Sequence, residues 1–151
     1  TLNNERSGIR DVAMAQRALD YILDSVREAP LILGSVRKDP LLMNRLADMT
    51  AGLRAARMLS YRVAWMQENG LEPIRESSMA KLYASELGME IGRLGMQVLG
   101  LHGLLRDGSP HAINKGLVGH EYISNIPSTI AAGSSEVNRN IIATKGLGLP
   151  R

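Results

Sequence analysis

The sequence predicts an all-α fold, an antiparallel four-helix bundle, on three observations. Apolar residues recur at three- and four-residue steps over three long stretches, the period of a helix with one buried side. Proline or glycine signals close the stretches where helices stop. No segment alternates apolar and polar residues at period two, and no hairpin turn is present, so strands have no support. With 151 residues, 44% hydrophobic and 22% charged, the chain has the length and balance of one ordinary domain with a core.

The first helix is expected from Asn4 to Ala29. Ile9, Val12, Leu19, Ile22, Leu23 and Val26 share its apolar side, and Arg10, Arg17, Asp20, Asp24 and Arg27 take the others. Pro30 lacks an amide proton and cannot continue it, so Leu31 to Lys38 reads as a connector. Asp39 and Pro40 then open a second helix: the carboxylate caps free amides, and the proline sits where no amide bond is lost. Its stripe of Leu42, Leu46, Met49, Leu53, Ala56, Val63 and Met66 runs to a stop at Asn69-Gly70.

A third helix is expected from about Glu76 to Leu99, with Met79, Leu82, Leu87, Ile91, Leu94 and Val98 facing inward. Gly88, Gly92 and Gly95 interrupt it, each at about 1 kcal/mol against alanine. Close approach of a neighbouring helix along that side is the simplest reason to keep them. The stretch Gly100 to Gly116 is rich in glycine, serine, proline and aspartate and reads as a loop. A short helical segment follows from Leu117 to Ser124, interrupted by Pro127. Ser134 or Ser135 caps a last helix, Glu136 to Lys145, which the Gly146 to Pro150 run ends.

Several function classes are disfavoured by composition. No run of about 18 apolar residues occurs, so no membrane span is expected, and the amino terminus shows no secretion signal. The absence of cysteine removes disulfides and thiolate chemistry, and cytoplasm is the expected location. The charge of +3 comes from basic residues interleaved with acidic ones, and aromatic residues are few, so nucleic acid is not an expected partner. His102, His111 and His120 lie nine residues apart, which brings no two together on one helical turn, and no metal is expected. The eight methionines and Trp65 are read as filling gaps in the core.

Periodicity names no reaction. The segments TLNNERSGIR, RLADMTAGLRAARMLSYR, AKLYASELG, MQVLG and AAGSSEVNRNIIA, in that order, resemble successive parts of the carboxy-terminal domain of acyl-CoA dehydrogenases. Each motif alone is weak; their shared order and spacing carry the match. The resemblance implies one helical domain over residues 1–151, a fragment of a longer chain whose amino-terminal helical and middle β domains are absent here. It implies FAD, an acyl-CoA substrate dehydrogenated between its α and β carbons, an electron-transfer flavoprotein or other acceptor, and a homo- or hetero-oligomer, dimer or tetramer.

By position, the resemblance assigns Gln97, Val98, Leu99, Gly100 and Leu101, with Ser134, Ser135 and Glu136, to contacts with FAD. The bland roles of these residues are helix termination and capping. Many family members keep their catalytic glutamate directly before Gly133, where this chain has Ala132, whose methyl accepts no proton. A second group places the base early in the first helix, in a pattern matched by Leu2-Asn3-Asn4-Glu5-Arg6, which makes Glu5 the candidate base. The arginine-x-phenylalanine-glycine stretch of many members has no counterpart between Arg27 and Pro40, and Arg37 and Lys38 are read as solvated. Two alternatives stand beside the enzyme reading: a non-catalytic subunit that pairs with a catalytic relative, and a helical interaction module.

Overall fold

In a computed structural model that describes residues 7–29, 34 and 36–150, the chain is all-α, with no strand among the described residues. Five helices carry it: α1 Ile9–Glu28, α2 Pro40–Glu68, α3 Ile74–Leu99, α4 Leu117–Asn125 and α5 Ser135–Ile141. The last continues as a π-helical turn, Ile142–Gly146.

Several expected boundaries are confirmed with their chemistry. Asp39 accepts hydrogen bonds from the amides of Leu41 (2.9 Å) and Leu42 (3.3 Å), with Pro40 in the first turn. Gly70, at φ 70°, takes the left-handed conformation that stops α2. The described part of α1 begins at Ile9, where Gly8 turns to φ 72° and lies against α3; the expected start at Asn4 lies outside the described residues. A Cβ at Gly8 would come 3.0 Å from the Ala80 carbonyl, so the close approach itself requires glycine. Pro30 lies outside the described residues.

The contacts give the topology. Moving up α1 through Gly8, Ala15 and Ile22 meets α3 at Ala80, Gly88 and Gly95 in turn, so α1 and α3 run parallel. Gly52 and Arg45 of α2 meet Leu87 and Gln97, so α2 is antiparallel to α3. Val118, Tyr122 and Asn125 of α4 descend past Gly95, Gly92 and Gly88. Arg139 and Gly146 continue the descent to Glu86 and Arg75. The fourth limb of this up-down-up-down bundle is therefore α4 and α5 in series, broken by the Pro127 turn Ile126–Thr129.

The core forms where α1, α2 and α4 cover α3, around Val12, Leu19, Ile22, Leu53, Ile91, Leu94 and Val118. The glycine side of α3 is the close approach that the sequence expects. A Cβ at Gly95 would lie 2.7 Å from Val118 and 2.9 Å from Ile22, and one at Gly92 would lie 3.1 Å from the Tyr122 backbone. The expectation that methionines and the tryptophan fill the core fails for Met43, Met58 and Trp65, which are 44%, 59% and 58% exposed. Met58 and Trp65 lie on the side of α2 turned away from Leu46, Leu53, Ala56 and Val63.

Candidate functional site

The segment Gln97–Leu101 closes α3. Val98 and Leu99 point into the core at 5% and 2% exposure, while Gln97, Gly100 and Leu101 stand on the surface. The Gln97 side-chain oxygen accepts from the Arg45 guanidinium, which ties the end of α3 to α2. At Gly100 the backbone takes φ 53°, ψ −130°, and a Cβ there would meet nothing. Glycine serves the dihedral at this position rather than the packing. The chain then tightens into a 3-10 turn, Gly100–Leu104.

The second segment opens α5. The Ser134 hydroxyl accepts from the Val137 amide (3.4 Å), the capping role its residue type suits. Ser135 is buried, and Glu136 is exposed with its carboxyl held below the usual glutamate range by the Ser134 hydroxyl and its own amide. These in-chain oxygens already serve the helix-start donors, so an incoming anion would compete with Glu136. Ala132 is exposed and, at φ 54°, adopts a left-handed conformation unusual for alanine.

The two segments bound different helices and are not joined directly. Arg139, five residues past Ser134, fixes α5 to Glu86 (2.6 Å) below the end of α3. No hydrogen bond or ion pair joins the segments among the described residues. A flavin touching both would lie across the outside of the bundle, with its remaining contacts supplied by other chain.

Sequence reasoning missed two features. The first is a cavity of about 600 Å³ between the Gly100–Leu104 turn and α4, walled by Met96, Leu104, Leu105, Leu117, Tyr122 and Ile123, with Arg106, Lys115 and His120 also on it. Backbones are pressed together at its base: a Cβ at Gly119 would lie 2.3 Å from the Gly103 carbonyl oxygen, and one at Gly116 2.4 Å from that of Leu105. Gly103 and Gly116 of the expected loop and Gly119 of the expected short helix were the available signal, since all three are held by contact.

The second is a buried polar layer at the lower half of the bundle. Lys81 is 2% exposed, and burial pushes the Asp11 carboxyl above its usual range against the opposing influence of Lys81, Arg10 and Ser128. Glu76, salt-bridged to Arg75 at 2.5 Å, shifts below its ordinary range although burial opposes this. A lysine on the small-residue side of ESSMAKLYASE was the signal. On the opposite flank, Arg17 donates to the buried Glu121 (2.9 Å) and clamps α1 to α4.

Glu5 lies outside the described residues. Arg37 and Lys38 are exposed on a 3-10 turn, Val36–Lys38. His102 faces the His111 carbonyl oxygen (3.2 Å), and no group of His, Asp or Glu among the described residues could hold a metal ion. No described helix is long and apolar enough to cross a membrane.

Comparison with known proteins gives the site its context. Residues 1–147 match the family described as acyl-CoA dehydrogenase, C-terminal domain. The mitochondrial short-chain specific acyl-CoA dehydrogenase of Homo sapiens is 31% identical over 145 residues, which are 95% of this chain and 33% of that protein. Among solved structures, the Tcur3481-Tcur3483 steroid ACAD superposes with a TM-score of 0.84 at 31% identity, over 99% of this chain and 38% of that one. The ChsE4-ChsE5 complex from Mycobacterium tuberculosis superposes at 0.76 and 26% identity, over 93% and 36%. The chain spans about a third of the length of the curated relatives it matches.

Proposed function

The chain belongs to the acyl-CoA dehydrogenase family, as its C-terminal domain, and we propose that it supplies the helical part of the flavin site and the base of an enzyme that dehydrogenates an acyl-CoA thioester between its α and β carbons. FAD is the cofactor to which the family points. When bound, FAD supplies the acceptor for the hydride that leaves the β carbon. Gln97, Gly100 and Leu101 offer surface polar and backbone groups to it at the end of α3, and Ser134 and Glu136 offer theirs at the start of α5. Val98, Leu99 and Ser135 hold those groups in place from the buried side.

The observation that carries the reading is the family match across almost the whole chain, joined to what stands before Gly133. Ala132 can take no proton, so the α proton must leave to another carboxylate, and Glu5 matches the alternative position of the family. To act near neutral pH, Glu5 has to be ionised yet poorly hydrated once the acyl chain covers it. The parent protein would carry the amino-terminal helical and middle β domains, work in the cytoplasm, and pass its electrons to an electron-transfer flavoprotein or another acceptor. The isolated bundle, with its two flavin segments apart, would be inactive.

A second reading is favoured by the same alanine: a non-catalytic subunit that assembles with a catalytic relative. Purification of the complete parent separates the two. Bound flavin with turnover by the parent alone supports the enzyme reading. Turnover that appears only when a second, different chain is added supports the partner-subunit reading, and a parent that never holds flavin contradicts the first.

A further inference from the structure

We infer that the cavity between the Gly100–Leu104 turn and α4 is a binding site for an aliphatic carboxylate, with the chain inside and the carboxylate at the rim. Its volume of about 600 Å³ is that of a small-molecule site. Met96, Leu104, Leu105, Leu117 and Ile123 give it aliphatic walls, and Tyr122 is the one aromatic ring among them. Water in such a space finds few polar partners, so an apolar occupant is favoured. Adaptable aliphatic walls suit a flexible chain better than a flat ring system, which facing aromatic side chains would select. One end is closed by main chain: Gly103 lies in close contact with Gly119, and Leu105 with Gly116. That end keeps its shape when side chains change rotamer.

The polar groups select the head of the ligand. Arg106 and Lys115 reach the cavity from separate turns, and His120 reaches it from α4. All three are exposed, and their side chains form no hydrogen bond or ion pair among the described residues. Asp107, the one acid among the described residues of the wall, already accepts from the Gly108 amide (3.0 Å). The start of α4 carries no side-chain cap, so the positive end of its dipole adds to the same field. Lys115 is held on the wall against its own backbone preference. Asn114 and Lys115 stand at φ 46° and 53°, the left-handed region that is unfavourable for both. The Asn114 side-chain amide donates to the Tyr21 carbonyl oxygen of α1 (3.4 Å), which pins the turn in place. Two cations and an imidazole around an apolar space match an apolar chain with one carboxylate, bound through charge-assisted hydrogen bonds.

This inference goes beyond the flavin reading and stands without it, because none of the residues assigned to flavin contacts lines the cavity. Titration calorimetry of the complete parent should show one dodecanoate bound per chain. Dodecanol, which lacks the charge, and butanoate, which lacks the chain length, should each bind more weakly by about tenfold or more. Lys115→Gly suits the local φ of 53°, and Arg106→Gln changes an exposed side chain, so both should fold as the native chain by circular dichroism. Each should weaken dodecanoate by about fivefold or more and leave dodecanol binding unchanged. Ile123→Trp should fill the space and abolish binding of both. An excess of an acyl-CoA thioester should leave dodecanoate in place. A parent that takes up no dodecanoate, or variants that bind it as the native chain does, would overturn the inference. Displacement by the thioester would overturn it too, because the acid would then sit in the substrate site.

Discussion

The glycine side of α3 and the outer side of α2 are both helix faces without charge at their centre lines over most of their length, yet they end in opposite surroundings. Along α3, α1 and α4 press so closely that a methyl at Gly95 would sit inside the radii of Val118 and Ile22. Along α2, Met58 and Trp65 meet water. The difference teaches that an apolar face records a need for cover, while only packing shows whether the cover belongs to the same chain. The α3 face is covered within the chain; Met58 and Trp65 on the α2 face stay exposed.

Substitutions can break this comparison from either side. Gly95→Leu should have the largest effect, a loss of about 3 kcal/mol or failure to fold, read from urea unfolding, because the branched side chain must push α1 and α4 apart together. Next comes the clamp over the same seam. Arg17→Ala leaves the Glu121 carboxylate 2% exposed without its partner and should cost about 1 to 2 kcal/mol, a moderate figure because the arginine itself is half exposed.

Glu76→Gln should cost roughly 1 kcal/mol at neutral pH. The folded chain holds the Glu76 carboxyl below its ordinary value of 4.5, so its contribution is present above that value and is lost as pH falls through the lower folded value. Asp11 behaves oppositely: its raised folded value means stability falls as pH climbs past the ordinary aspartate value of 3.8. The unfolding difference between Glu76→Gln and the native chain should therefore vanish in acid, and a difference independent of pH would contradict the assignment. Smallest of all, Trp65→Ser should change the unfolding free energy of the monomer by less than about 0.5 kcal/mol. That tolerance, set against the loss at Gly95, is the sharpest contrast between the two faces.

Much of the fold was legible because its signals are local. Asp39-Pro40, Asn69-Gly70 and Ser134 act through hydrogen bonds and dihedrals within a turn of their own position, and each behaves as its residue type requires. Gly88, Gly92 and Gly95 were legible as a close approach, although the helices that fill it were not. The turn at Gly8 was not legible because a glycine near a helix start is silent until a neighbour, here Ala80, comes within reach. Trp65 and Met58 were misassigned to the core because three- and four-residue spacing defines a stripe without saying which way it faces.

The candidate site was less legible for the same reason. Gln97 and Ser134 can be named by motif, but their relative placement depends on the long-range Arg139 to Glu86 pair, which no local pattern encodes. The cavity beside Gly103 and Gly119 was hidden because one wall comes from a stretch whose composition reads as loop and the other from a separate short helix.

The most direct test of the functional account is turnover and flavin content of the complete parent carrying Glu5→Gln. Loss of a general base with the cofactor site intact predicts flavin bound at the native level and turnover reduced by about 10²- to 10⁴-fold. Unchanged turnover with flavin bound would contradict it.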